Sequence, residues 1–278
     1  MTDDRADRPG VTLIIRRDRL RRPGHLVPLL VVHLQHRGAQ VAVIDPDSEP
    51  VPLQLHVDER GLYVLVSPSD AALSLAGALE EAGAALFTPY PAAAGCRDKI
   101  VQTAVLARAG IPVPASWLTV HPEVFADELS SGPLVFKNPR GSRGYGVHVV
   151  HQRDDLRRLP AGNPWLVMRY HHPDGPDLKL YRIGDEVHGV SRAFPATTPE
   201  EKVGRPLVVG PELRELVLRC GDAFGTAVCG VDVIRSHGRP WVVDMSSFPG
   251  FKGVPDAAGR LAGVILERAR AHRLERAS

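Results

Sequence analysis

Leu134-Val-Phe-Lys-Asn-Pro-Arg-Gly-Ser-Arg-Gly-Tyr-Gly-Val147 decides how the rest of this chain is read. An apolar run, Leu134 to Lys137, ends on a lysine; Gly141, Gly144 and Gly146 follow, and Val147-His-Val-Val150 resumes a strand pattern. Glycines at this density let backbone N–H groups converge on phosphate oxygens with no Cβ in the way. A lysine closing the incoming strand adds a point charge for the same phosphates. Order separates this loop from commoner ones. A Walker loop ends in Gly-Lys-Ser/Thr and opens a helix, and a dinucleotide fingerprint also opens a helix. Here the lysine comes first and a strand follows, so the segment is a hairpin loop able to fold over a triphosphate. An ordinary glycine-rich hairpin has the same outline, and context has to decide between them.

The second cluster is acidic. Asp232 lies in Cys229-Gly-Val-Asp-Val-Ile234, and Asp244 ends Trp241-Val-Val-Asp244. Strand alternation lets both carboxylates face one side at the same end of neighbouring strands. Two such acids in apolar strands repel each other, and a divalent cation removes the conflict. Magnesium suits the pattern, since it takes one or two carboxylates and completes its shell with water and phosphate. The turn Ser246-Ser-Phe-Pro-Gly250 can return a side-chain oxygen to the same ion. The alternative is a pair of strand-end aspartates capping loops.

Around these clusters the chain reads as a globular protein of 278 residues, 44% hydrophobic and 24% charged, with a net charge of +2. The charge is too small to argue for nucleic acid. No apolar run approaches the ~20 residues that span a membrane, and the polar N-terminus lacks the apolar core of a secretory signal. Three cysteines, Cys96, Cys220 and Cys229, with no CxxC spacing, fit a reducing compartment. The expected location is cytoplasmic. Of 34 basic residues only five are lysine, and three of those five, Lys99, Lys137 and Lys179, fall in motifs.

Residues 11–88 alternate short apolar strands (Val11–Arg16, Gln40–Ile44, Tyr63–Ser67, Ala85–Thr88) with helices (Pro28–Arg37, Ser69–Ala82), the pattern of a parallel α/β lobe; Pro89–Pro91 reads as a turn. Helix Asp98–Ala109 follows. Strands at Leu134–Lys137, Val147–His151, Trp165–Tyr170, Lys179–Ile183 and Glu186–Val190 read as antiparallel and hairpin-linked. Helix Glu212–Phe224, strands Val228–Ile234 and Pro240–Asp244, and helix Asp256–His272 complete the chain. Three lobes are expected: 1–95, 96–167 and 168–278. Ala193–Pro211 reads as a lid or as a surface loop.

This motif order resembles the ATP-grasp superfamily over about Ala84 to Val264, and within it most resembles the RimK-type glutamate ligases, with similarity to the inositol-trisphosphate kinases. The resemblance implies an α/β fold, α+β in the ATP-binding part: an N-terminal parallel lobe (pre-ATP-grasp) plus two lobes clamping ATP. By the same resemblance Gly95-Cys-Arg-Asp-Lys-Ile100 opens the core, with Lys99 and Lys137 as nucleotide lysines. Gly141, Ser142, Gly144 and Gly146 then cover the phosphates. Met168, Arg169 and Tyr170 form the adenine hinge, and Asp177 meets the ribose. Lys179 lies near the phosphates and Arg192 supports the transferring phosphoryl group. Asp232, Asp244 and Ser246 cover the metal set, although Ser246 stands where an asparagine is usual, and the glycine loop lacks the histidine of the inositol kinases.

The implied cofactors are ATP and Mg2+, with Mn2+ as a substitute. The implied activity is a carboxylate–amine ligase working through an acyl phosphate on a small amino acid or peptide; the alternatives are a small-molecule kinase and a non-catalytic ATP-binding module. The substrate is expected to be a small molecule or peptide. The basic run Arg16–Arg22 is either a place for an anionic substrate group or a solvated loop. No nucleic acid and no membrane are expected as partners, and a homodimer is left open.

Overall fold

The computed structural model describes residues 8–22, 24–141, 146–193, 198, 201 and 203–277. Ser142 and Gly144 of the glycine loop lie outside the described residues, as do 194–197, 199, 200 and 202 of the expected lid.

The N-terminal sheet contains β1 (Gly10–Ile14), β2 (Gln40–Ile44), β3 (Leu62–Leu65) and β4 (Ala85–Leu86), in the order β2-β1-β3-β4 and parallel throughout. Its helices are α1 (Leu26–His36) and α2 (Asp70–Glu81). β1 is apolar on both faces because it is covered on both: Leu13 joins the cluster containing Leu30 and Leu34 of α1, and Ile14 joins Leu75 and Leu79 of α2. The Ser69 hydroxyl caps α2 by accepting from the Ala72 N–H at 3.1 Å. Within the arginine run, Arg17–Arg21 form a single 3-10 turn. Arg17 is bound there to Glu49 at 2.8 Å.

At Pro89–Pro91 the structure departs from the expected turn. Tyr90–Arg97 is a helix, α3, and its prolines sit where a helix start tolerates a missing N–H. Only Asp98 separates it from α4 (Lys99–Arg108), and the Asp98 carboxylate caps α4 by accepting from Ile100 N–H at 3.0 Å.

The central sheet is antiparallel, with the order β5-β8-β6-β7, from β5 (Ser116–Thr119), β6 (Leu134–Lys137), β7 (Val147–Val150) and β8 (Trp165–Arg169). β5 was not expected from the sequence; its four residues gain strand character only from pairing with β8. One face of the sheet packs Leu134, Phe136, Val150 and Val167 against Phe125 and against Leu156 of the short helix α5 (Arg153–Leu156). The other face carries Val135, Lys137, Val147 and Met168.

The third sheet is also antiparallel, ordered β11-β10-β9-β12-β13, from β9 (Asp177–Ile183), β10 (Glu186–Arg192), β11 (Arg205–Leu207), β12 (Val228–Ser236) and β13 (Arg239–Ser246). Leu178, Leu180, Val231 and Val233 pack from one face onto Leu106 of α4 and onto α6 (Pro211–Ala223). On the opposite face Tyr181, Ile183 and Val228 lie under α7 (Ala257–Ala277), whose Leu261 and Ile265 are fully buried and which also packs on α1. Past this apolar end, the same face carries Asp177 and Lys179.

The expected lobe limits fall inside elements. The limit at 95/96 lies within α3, and that at 167/168 within β8, which pairs only inside the central sheet. The last helix, α7, joins the core of the N-terminal sheet, at a sequence distance that no local pattern reports.

Candidate active site

The face of the third sheet is assembled by register. Asp232 of β12 stands opposite Asp244 of β13 and, on its other side, opposite Lys179 of β9; Asp177, two residues before Lys179, stands opposite Arg192 of β10. Directly opposed residues in antiparallel strands share a face, so four strands bring Asp177, Lys179, Arg192, Asp232 and Asp244 together. Ser246 follows Asp244 by two residues and lies opposite Gly230. A Cβ on Gly230 would sit 2.9 Å from Pro249 and 3.2 Å from Cε of Lys179. Only glycine lets the turn after Ser246 and the lysine side chain both cross this point.

The register slips by one residue beyond Asp232, because Val233 pairs with Val242 and Val243 is the extra residue. Such a bulge leaves a backbone group outside the ladder. The Val243 carbonyl accepts from Nζ of Lys137 at 2.9 Å, so the glycine-loop lysine crosses from the central sheet to the third one. Lys99, the first residue of α4, reaches the same place from a third direction, with Nζ 2.6 Å from each oxygen of Asp244. On Asp232, Lys179 Nζ lies 2.9 Å from Oδ2 and an Arg192 nitrogen 3.2 Å from Oδ1.

The mutual repulsion of Asp232 and Asp244 expected from the sequence is therefore relieved by cations of the protein itself. Four basic side chains, Lys99, Lys137, Lys179 and Arg192, surround them. Burial pushes the Lys137 pKa down, while Asp244 pulls it back up. Burial pushes the Asp177 carboxyl up to about 6, and Asp232 adds to the rise, against Arg192 and Lys137.

Gln102 was not singled out in the sequence, yet it fixes the site. It is 3% exposed on α4, one turn after Lys99. Its Nε2 donates to the Met245 carbonyl at 2.8 Å and its Oε1 accepts from the Met245 N–H at 2.9 Å. β13 is the sheet's edge, and Gln102 satisfies that edge between Asp244 and Ser246. The signal in the sequence is a glutamine in a mostly apolar helical stretch, Ile100–Ala107.

The expected hinge residues Met168, Arg169 and Tyr170 lie at the end of β8 and just beyond it. The Arg169 and Tyr170 N–H groups already donate to Ala115 and Pro133 carbonyls at 2.8 and 3.1 Å. The Arg169 side chain turns to Glu128 at 2.7 Å and lies over Trp117. Met168 is buried on the same face as Val135, Val147 and Val149, and the last two are exposed as an apolar wall beside Lys137. His171 stacks on Trp241 of β13 at 4.1 Å between ring centroids, joining the hinge to the third sheet.

The glycine loop is described at its neck. Asn138 N–H donates to the Gly146 carbonyl at 2.8 Å, and Gly141 N–H donates to the Asn138 carbonyl at 3.0 Å. Gly146 has φ +74° and a Cβ there would meet Asn138 at 2.9 Å, so the return to β7 requires glycine. The three cysteines are buried and free, and burial pushes the Cys229 thiol up to about 12, so packing accounts for them.

A nucleoside triphosphate with magnesium fits this donor set. Four cations converge, and Arg192 Nε is buried without a hydrogen-bond partner among the described residues. Among those residues no group of three or more His, Cys, Asp or Glu forms a metal cage. Two carboxylates and a hydroxyl suit an ion that draws its remaining ligands from phosphate and water.

The RimK-like ATP-grasp domain matches residues 96–267, more than half of the chain. A probable alpha-L-glutamate ligase of Thioalkalivibrio sulfidiphilus (strain HL-EbGR7) is 27% identical over 199 residues, covering 64% of this chain and 66% of the relative. A second protein of that description, from Serratia proteamaculans (strain 568), is 29% identical over 276 residues, 87% and 91% of the two chains. The chain thus spans about two thirds of the first relative and most of the second. Among solved structures, the ATP-grasp ligase PsnB complexed with minimal precursor, Mg and ADP superposes with a TM-score of 0.70 at 19% identity, covering 94% of this chain and 98% of that one. This likeness extends across all three sheets and shows the ATP-grasp fold. The chain belongs to the family of RimK-like ATP-grasp domains.

Proposed function

We propose that this protein is an ATP-dependent carboxylate–amine ligase acting on an amino acid or peptide, with glutamate the first acceptor or donor to try. The observation that carries the reading is the cross-strand ladder of Asp232, Asp244, Lys179 and Arg192 met by Lys99 and Lys137 from two other elements. The names of the relatives, glutamate ligases, supply the reaction class.

In this reading Lys99, Lys137 and Lys179 hold the phosphates of ATP, with backbone amides of the glycine loop (Gly141, Ser142, Gly144, Gly146) around them. Asp177 takes the ribose, and the stretch Met168–Arg169–Tyr170 borders the base. Asp232, Asp244 and Ser246 hold Mg2+, which when bound offsets phosphate charge. To receive these groups the protein exchanges its internal ion pairs for ligand pairs: Lys99 leaves Asp244 and Lys179 leaves Asp232, so each lysine and each acid finds a new partner of opposite sign.

The substrate carboxylate oxygen attacks the γ-phosphorus while the bond to the ADP oxygen breaks. Arg192 stands beside Asp232 with its Nε unpaired among the described residues, suited to the charge that develops on the moving phosphoryl group. The free amine then attacks the acyl phosphate, inorganic phosphate leaves, and one proton is released to solvent. Positioning and charge compensation supply the catalysis. In this reading the site lies between the central sheet, which supplies Lys137, and the third sheet, with Lys99 of α4 reaching it from the side. Among the described residues no helix is long and apolar enough to cross a membrane, and a proposed reaction that consumes ATP is compatible with a cytoplasmic location.

ADP release assayed against a panel of amino acids, glutamyl peptides and polyols tests the proposal. With the active carboxylate and no amine, hydroxylamine should trap a hydroxamate. A hydroxylamine-stable phosphate ester, with no amide product, would sink the ligase reading and point to a kinase.

A further inference from the structure

Arg97 has no role in the ladder, yet it lies two residues before Lys99 at the one-residue joint between α3 and α4. Its guanidinium makes two contacts. One terminal nitrogen donates to the Arg140 carbonyl, in the neck of the glycine loop, and the other pairs at 3.7 Å with Asp70, the first residue of α2. Its Nε is buried and makes no hydrogen bond among the described residues. Among the described residues the head group is therefore held at its two ends, one in the central sheet's hairpin and one in the N-terminal lobe.

The joint grips the same neck twice more. Lys99 N–H donates to the Pro139 carbonyl at 2.9 Å, and Arg140 Nε lies 3.9 Å from Asp98 Oδ2. Within the neck, Arg140 N–H donates to Oδ1 of Asn138 at 3.0 Å, which bends the chain back on itself there. Three consecutive residues, Arg97, Asp98 and Lys99, thus hold Pro139 and Arg140.

We infer that Arg97 is a positioning residue that ties the neck of the glycine loop to the α3–α4 joint, fixing where the loop's phosphate-facing amides start. The inference rests on the phosphate role proposed for the loop. Asp70 is 68% exposed, so its pair with Arg97 contributes little by itself. The bond to the Arg140 carbonyl is charge-assisted and carries most of the effect. The order of effects is fixed by this difference. Losing Arg97 should loosen the neck strongly, losing only the Asp70 charge should loosen it weakly, and Arg97→Lys should restore part of the hold, because one ammonium cannot reach both partners in the fork geometry of a guanidinium.

Residue-resolved amide hydrogen exchange on the full-length, ligand-free protein tests this without any assay of activity. In Arg97→Ala the Asn138 and Gly141 amides should exchange at least tenfold faster, while amides of β12 and β13 keep their wild-type rates. Asp70→Asn should change the neck by no more than about threefold, and Arg97→Lys should fall between. Unchanged exchange at Asn138 and Gly141 would overturn the inference, and so would acceleration equal in the neck and in β12–β13, which marks a merely structural residue. Isothermal titration with Mg-ATP completes the test: Arg97→Ala should weaken binding about fivefold or more. If the wild type binds no ATP, the proposed function fails, while the exchange result still decides the tie.

Discussion

In the β12–β13 hairpin, Asp232 and Asp244 sit inside paired strands, 29% and 34% exposed, and their spacing is set by the ladder itself. In the β6–β7 hairpin, Lys137 stands at a strand end, and beyond it the backbone is fixed by a few neck bonds and by the α3–α4 joint. Both hairpins present charge to the same space. One holds it by register, which survives small changes in side chains, and the other at the end of β6, where Lys137 is followed by a neck held by its anchors. The acids should accordingly behave as a rigid unit coupled to stability, and the glycine-loop side as a unit coupled to ligand affinity.

The largest effect that could break this contrast is at the acids. Asp232→Asn or Asp244→Asn should reduce ATP-dependent turnover by about 100-fold or more, since each removes a full charge from the proposed metal set. The ligand-free protein should also lose about 1–2 kcal/mol in urea unfolding, because Lys99, or Lys179 with Arg192, is left without its counter-charge; partial exposure keeps the loss below that of a fully buried pair. A variant more stable than wild type would mean that repulsion between the acids outweighs their ion pairs.

Lys137→Ala should spare stability relative to the acid variants and weaken ATP binding tenfold or more, since one charge-assisted contact is worth about 1.5–3 kcal/mol. Adenosine binding should move far less. Calorimetry giving equal ATP affinity in wild type and variant would remove the glycine hairpin from the phosphate site.

Ser246→Asn sharpens the comparison within the acid hairpin. An asparagine carbonyl reaches farther than a serine hydroxyl and is the stronger oxygen donor for magnesium. The magnesium concentration for half-maximal ADP release should fall a few-fold, with ATP affinity unchanged at saturating metal. No change in that titration would place Ser246 outside the metal shell.

The last test is a pH dependence. Asp177, raised to about 6, binds its proton more tightly in the folded chain than in the unfolded one, where its ordinary value is 3.8. The stability contributed by this group should fall as pH rises from about 4 to 6 and stay level above that. Asp177→Asn should flatten that part of the profile in ligand-free thermal unfolding. A profile identical to wild type would show that the carboxyl titrates as if exposed.

The chain's own order made the loop Leu134–Val147, the strand pair around Asp232 and Asp244, and the lysines at 99, 137 and 179 legible. Each is a short pattern whose meaning depends on neighbours within a dozen residues: alternation for strands, glycines after a lysine for the hairpin. The α3 helix was misread because prolines that open a helix look like prolines that make a turn.

The rest was decided only by tertiary structure. Gln102 meets Met245 across 143 residues, and Lys99 meets Asp244 across 145. The bulge that frees the Val243 carbonyl for Lys137 exists only once β12 and β13 have paired, and Ser116–Thr119 is a strand only because β8 lies beside it. Sequence determined which groups carry charge and which segments can pair. Folding decided which opposite charges meet: Lys99 with Asp244, and Lys179 and Arg192 with Asp232, each pair offsetting part of the hydration lost on burial.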